Sequence, residues 1–216
     1  MTLTPIDSIA LLIALSAVLM VGSTHLRVNL WLFSVQTTLL SLITALYSAK
    51  WSDFNLLVVA ILLFSVKAIS VPRFLAFIIR KINVQRDSGT LVPTPIAMHL
   101  CIGFMVVSYL LAQQLPTPPG DPVAWPTATA AISLVCTGLV LMLTRRVALS
   151  QIVGFLVMEN GIYLFGLGQT RGMPLLIEMG IMLDVLTGVM IAGLIVFRIK
   201  KNFEHIDVTR LAELKE

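Results

Sequence analysis

Five ionisable side chains, Lys67, His99, Glu159, Glu178 and Asp184, fall inside long apolar stretches of this 216-residue chain. A charge placed at the centre of a bilayer costs about 2.5–3.5 kcal/mol on insertion scales, so such a group needs a buried partner and marks a function by default. Carboxylates and an amine sharing one layer shift each other's proton affinity, and a change at one is felt at the next. The chemistry these residue types suggest is therefore proton transfer. Measured at 1.5 Å per residue from the end of each span that the charge pattern puts in the cytoplasm, Lys67 and Glu159 both lie roughly 18 Å deep and Asp184 roughly 20 Å. Equal depth lets the three neutralise one another or pass a proton sideways, provided that their helices are neighbours.

The other two stand apart. Glu178 precedes Asp184 by six residues, which turns it by about 120° and moves it roughly 9 Å toward the outer surface. There it could contact another subunit, form an outward step of a relay, or simply stay hydrated near the interface. His99 sits only about one turn inside its span, where an imidazole could feed protons inward or merely pack. For Glu159 the competing reading is a structural tie between helices, with Asn160 as polar glue. Lys67 lies in Phe64-Ser-Val-Lys-Ala-Ile-Ser-Val-Pro72-Arg73. Pro72 has no N–H to give residue 68, so a carbonyl is freed one residue past the lysine and the helix is expected to kink or break there. Irregular backbone at that depth is tolerated where it lines protein or a wet cavity. Lys67 could carry protons or only pair with a carboxylate.

The elements that must position these groups follow from composition. With 57% hydrophobic and 12% charged residues, the chain lies well outside soluble averages of roughly 45–50% and 25%, and reads as an all-α, multi-pass membrane protein. The first apolar segment runs on at spanning length without a small-residue cleavage site, so it is expected to be retained. Cys101 and Cys136 fall in apolar segments with no Cys/His spacing suited to zinc or an iron–sulfur cluster, so neither metal nor cofactor is expected. Phosphate-loop, dinucleotide and Ser/His/Asp signatures are absent, which argues against nucleotide binding and against catalysis by this chain.

Seven segments are long enough to cross roughly 30 Å of hydrocarbon, near 7–22, 28–48, 54–80, 95–115, 123–143, 147–168 and 173–197. With the N-terminus outside, the inner regions collect Arg27, Arg80, Lys81, Arg86, Arg145, Arg146, Arg198, Lys200, Lys201, Arg210 and Lys215, against Lys50 and Arg171 outside. That asymmetry predicts an N-out, C-in topology and makes the loop charges topogenic. The chain divides into a four-helix region at 1–122, a three-helix region at 123–199, and a tail at 200–216 whose apolar spacing suits a short amphipathic helix on the cytoplasmic side or a solvated end.

The segment Thr144-Arg-Arg-Val-Ala-Leu-Ser-Gln-Ile-Val-Gly154-Phe-Leu-Val-Met-Glu159-Asn160, followed by Asp184 and Gly188, resembles the three-helix K subunit of bacterial complex I and the C subunit of Mrp-type cation/proton antiporters. In that pattern a twin-arginine loop leads to a glycine and a membrane glutamate, and a second acid precedes a glycine by four residues. The acid here stands three positions further on than in the pattern, with Leu156 in its place. Three residues is nearly one turn, so the carboxylate keeps a similar face while moving along the axis.

Over nearly its whole length the chain resembles the E component of hydrogenase-4 and formate hydrogenlyase complexes, through Met158-Glu-Asn-Gly161, Ile177-Glu-Met-Gly-Ile181 with Asp184, the stretch 67–72, and the tail Ile206-Asp-Val-Thr-Arg-Leu-Ala-Glu-Leu-Lys215. The resemblance implies a non-catalytic subunit of a prokaryotic cytoplasmic (inner) membrane complex. It would lie beside antiporter-like and H-type membrane subunits, which anchor a peripheral arm with nickel–iron hydrogenase and iron–sulfur proteins.

Overall fold

The computed structural model describes residues 4–82, 86–87, 90–116 and 125–170, with single positions 182, 188, 189 and 193. The expected seventh span at 173–197 and the tail at 200–216 lie outside the described residues apart from those four positions, as do Glu178 and Asp184. The described residues form helices α1 (Pro5–Gly22), α2 (Leu26–Trp51), α3 (Phe54–Leu62), α4 (Val71–Ile82), α5 (Thr94–Ala112), α6 (Trp125–Thr144) and α7 (Ala148–Thr170). A π-helical segment, Leu63–Ser70, joins α3 to α4 without a break. Six helical spans in this region are long and apolar enough to cross a membrane, α3 to α4 counting as one.

Local chemistry sets the ends. Thr4 and Asp7 form a reciprocal capping box at α1: the Asp7 backbone N–H donates to Thr4 Oγ1 (3.3 Å) and the Thr4 backbone N–H to Asp7 Oδ2 (2.9 Å), with Pro5 in the first turn. Together they satisfy backbone donors that a helix start leaves open. Helix α2 stops at Ser52, which takes the left-handed conformation at φ 53°. Asp53 then caps α3 through the Asn55 N–H at 2.9 Å.

Helices α6 and α7 meet at backbone distance. A methyl group on Gly138 would lie 2.5 Å from the Met158 nitrogen and 2.7 Å from the Gly154 oxygen. On Gly161 it would lie 2.7 Å from the Ala131 oxygen. Small residues at a helix crossing are the usual route to association in lipid, where hydrophobic burial no longer drives it. Behind this seam Ile13, Met20, Phe33, Leu40, Leu134 and Leu156 fill the interior. Helix α5 is the outer member, packing on α6 and α1 and exposing Ile96, Leu100, Val107 and Leu110.

The connections after α1, α4 and α6 gather at one end. The Asp87 N–H donates to the Thr24 carbonyl (3.0 Å) and the Leu91 N–H to the Thr144 carbonyl (2.8 Å). Arg27, Arg80, Lys81, Arg86, Arg145 and Arg146 all belong to this end of the bundle. Arg145 itself corrects the expectation of a purely topogenic charge. It is 2% exposed, and its terminal amine donates to the carbonyls of Val21 (2.6 Å) and Ser23 (3.0 Å). Thr144 ends α6 beside the last turn of α1, so the next side chain is directed at carbonyls that a helix C-terminus leaves open. Burial pushes the Arg145 guanidinium below its ordinary proton affinity, and the nearby Asp87 carboxylate opposes that shift.

Candidate functional site

Lys67 and Glu159 are brought together. Lys67 Nζ lies 3.0 Å from Glu159 Oε1, with side chains 4% and 7% exposed. One comes from the middle of the π-helical segment and the other from the middle of α7, so the equal depths read from sequence correspond to facing helices. At an effective dielectric near 20 this separation gives an attraction of about 5.5 kcal/mol. Removing each ion from water costs several kcal/mol, which offsets much of that gain. The pair is thus a site whose charges are held by each other. Glu159 Oε2 has no hydrogen-bond partner among the described residues.

The π-helix follows from Pro72. The Val71 N–H reaches back to the Val66 carbonyl, and the Ala68 carbonyl that Pro72 cannot serve accepts from Ser34 Oγ of α2 at 2.6 Å. Ser70 Oγ donates to the Ser65 carbonyl at 2.9 Å. A stretch of wider helix, common at functional positions, therefore carries the lysine and is braced on α2.

Beside the pair lies an amide–hydroxyl network. Asn160, the residue after Glu159, donates through Nδ2 to Gln36 Oε1 (3.1 Å) and Thr37 Oγ1 (3.0 Å). Gln36 Nε2 donates in turn to Ser16 Oγ (3.1 Å) and the Ile13 carbonyl (3.4 Å), and Ser16 Oγ donates to that same carbonyl (2.7 Å). Gln36, Thr37 and Asn160 are fully buried. This network ties α1, α2 and α7 together and fixes the rotation of α7, and with it the direction of Glu159. One turn beyond Glu159, the Tyr163 hydroxyl lies 3.2 Å from Thr44 Oγ1 of α2.

Asn160 is legible in the sequence as interhelical glue, whereas Gln36, Thr37, Ser16 and Ser34 each look like ordinary polar residues of a span. The available signal was a row of polar residues at helical spacing along α2, Asn29, Gln36, Thr37, Thr44 and Ser48, all buried.

His99 is not drawn into this layer. Its ring is exposed near the start of α5, where Nδ1 lies 2.7 Å from the Pro95 carbonyl. Gly188 is exposed, and a methyl group there would meet nothing within 4 Å among the described residues. Cys101 is buried and Cys136 half-buried, both as free thiols. Among the described residues no three His, Cys, Asp or Glu side chains converge as metal ligands.

Six apolar spans and an ion pair sealed between them define a multi-pass membrane protein. The chain belongs to the same family as the uncharacterized protein Rv0085 of Mycobacterium tuberculosis. The two are 31% identical over 206 residues, which cover 94% of this chain and 93% of the relative. It is more distantly similar to hydrogenase-4 component E of Escherichia coli K12 and of Shigella flexneri, at 23% identity over 210 residues and 97% of each chain. No family model matches the sequence. No solved structure matches it either.

Proposed function

We propose that this protein is a non-catalytic membrane-arm subunit of a hydrogenase-4-like respiratory complex related to complex I, and that its buried acids form part of a proton-translocation path. Glu159 and Asp184 are the carriers, and Lys67 sets the charge state of the layer. The observation that carries the reading is the Lys67–Glu159 pair in the membrane interior, one carboxylate oxygen engaged and the other without a partner among the described residues. A group held this way can exchange a proton with whatever approaches the second oxygen. Loss or gain of charge there alters its neighbours in turn. The name of the distant relatives, hydrogenase-4 component E, supports placement in a multi-subunit complex. Antiporter-like and H-type membrane subunits are the expected neighbours, and the peripheral nickel–iron arm an indirect partner. Glu178 and His99 are assigned outer and inner steps of the same path, and the location is the prokaryotic cytoplasmic membrane.

The test is Glu159→Gln in the reconstituted complex, with hydrogen evolution and proton movement followed together. Loss of proton movement per hydrogen is expected, and unchanged pumping per turnover would refute the carrier role. The interlocked amides of Gln36 and Asn160 favour a second reading, in which the chain only links antiporter-like and H-type subunits. In that case Glu159→Gln would weaken assembly and leave the ratio intact in whatever complex survives.

A further inference from the structure

Side chains with incomplete bonding converge on the turn that follows α1. Asn29 Nδ2 donates to the Ser23 carbonyl (3.2 Å), which also accepts from Arg145 (3.0 Å). The Asp87 N–H donates to the adjoining Thr24 carbonyl (3.0 Å). All three side chains are more than nine-tenths buried, at 4%, 7% and 2% exposure for Asn29, Asp87 and Arg145. Yet Asn29 Oδ1, both Asp87 carboxylate oxygens, and Arg145 Nε and Nη1 have no hydrogen-bond partner among the described residues. Asp87 acts on Arg145 through its charge without bonding to it.

Leaving one such polar group unsatisfied costs about 1–3 kcal/mol, and more where the group is charged. Five such atoms around one turn point to a small polar ligand. It must both donate and accept, since it faces three acceptor oxygens and two donor nitrogens. It must also be neutral, since one cation and one anion already balance. Water meets both conditions, and a buried water ordinarily takes two to four such bonds.

The same face of α2 then turns apolar. Phe33 lies four residues after Asn29 and three before Gln36, so all three share one side of the helix. The rise from Asn29 to Gln36 is roughly 10 Å. Over that interval Phe33 is fully buried, and α1 contributes Ala17 and Met20, also fully buried.

We propose that Asn29, Asp87 and Arg145 with the Ser23–Thr24 turn form a small hydrated vestibule at the basic end of the bundle, closed by Phe33 before it reaches the Gln36–Asn160 network. The hydration stands on these atoms alone. Its role as an entrance for protons toward Glu159 rests on the function proposed above.

The test is thiol accessibility in membrane vesicles of both sidedness, using the full chain with its partner subunits and with Cys101→Ala and Cys136→Ala as background. The probe is a small charged methanethiosulfonate. Arg27→Cys, at an exposed position, identifies the face under attack. From that face Asn29→Cys is expected to react, Gln36→Cys to remain unmodified, and Gln36→Cys with Phe33→Ala to become reactive. Protection of Asn29→Cys while Arg27→Cys reacts would overturn the vestibule. Equal reaction of Gln36→Cys with Phe33 intact would overturn the closure. Should Asn29→Cys fail to fold, Asp87→Cys supplies the same measurement under the same criteria. None of these outcomes depends on proton pumping, so failure of the vestibule and failure of the carrier role are distinguished.

Discussion

Replacing Lys67 with Met removes one member of a buried ion pair and leaves the other in place. The methionine fills nearly the same volume, so the effect isolates charge. With Nζ 3.0 Å from Glu159 Oε1, the lost attraction is about 5.5 kcal/mol at an effective dielectric near 20. Rearrangement recovers part of this, and a broken buried pair is expected to cost about 3–5 kcal/mol in all. Glu159→Gln should cost less, because the amide still occupies the site and can bond, though the ammonium loses its counter-charge. The double variant Lys67→Met, Glu159→Gln should recover stability relative to the sum of the two, with a coupling energy on the order of 1–3 kcal/mol. The assay is loss of helicity on titration with denaturing detergent in mixed micelles, for the wild type, both single variants and the double. Strictly additive effects would mean that the two charges do not act on each other, and the site described above would fall with them.

Gly138→Ala places a methyl group 2.5 Å from the Met158 nitrogen, so it should destabilise by about 1–3 kcal/mol through overpacking; Gly103→Ala, whose methyl meets nothing within 4 Å among the described residues, should be neutral or raise stability by up to about 1 kcal/mol in the same detergent titration. Asn160→Leu unties α7 from Gln36 and Thr37 and should cost roughly 0.6–1.7 kcal/mol, with a loss of Lys67–Glu159 coupling in a repeat of the double-variant cycle. Ser34→Ala leaves the Ala68 carbonyl without its 2.6 Å donor and should cost about 1–3 kcal/mol, seen as faster amide exchange across 63–71. Arg145→Ala removes the single Nη2 that donates to both the Val21 and Ser23 carbonyls, and limited proteolysis should cut the α1–α2 connection sooner than in the wild type.

Depth was legible before contact. Lys67 and Glu159 could be placed in one layer from a 1.5 Å rise and the span boundaries, because helices in lipid are long and straight enough for counting to work. That their helices touch could not be derived, since neighbour choice depends on small-residue seams and polar ties on both partners. The glycines that bring α6 against α7 mean little until Met158 and Ala131 are known to oppose them. The freed carbonyl at Ala68 followed from Pro72, whereas the π-helix and the Ser34 brace required the second helix. Arg145 shows the opposite failure. Counted as one positive charge among many at its end of the bundle, it turned out to be enclosed, because charge counting sorts loops by side and cannot see one fold down over a helix terminus.

The glycine contacts between α6 and α7 carry a mechanical consequence. Where two backbones touch without intervening side chains, neither can slide or roll without the other, so these helices form a single stiff strut that holds Glu159 at a fixed height. The lysine sits on a different footing, in a widened coil where the carbonyl that Pro72 cannot serve takes its donor from Ser34 of α2. On the function proposed above, a change in the gap between the two charges would fall to the segment from Leu63 to Ser70, since the carboxylate rides on a pair of helices in backbone contact.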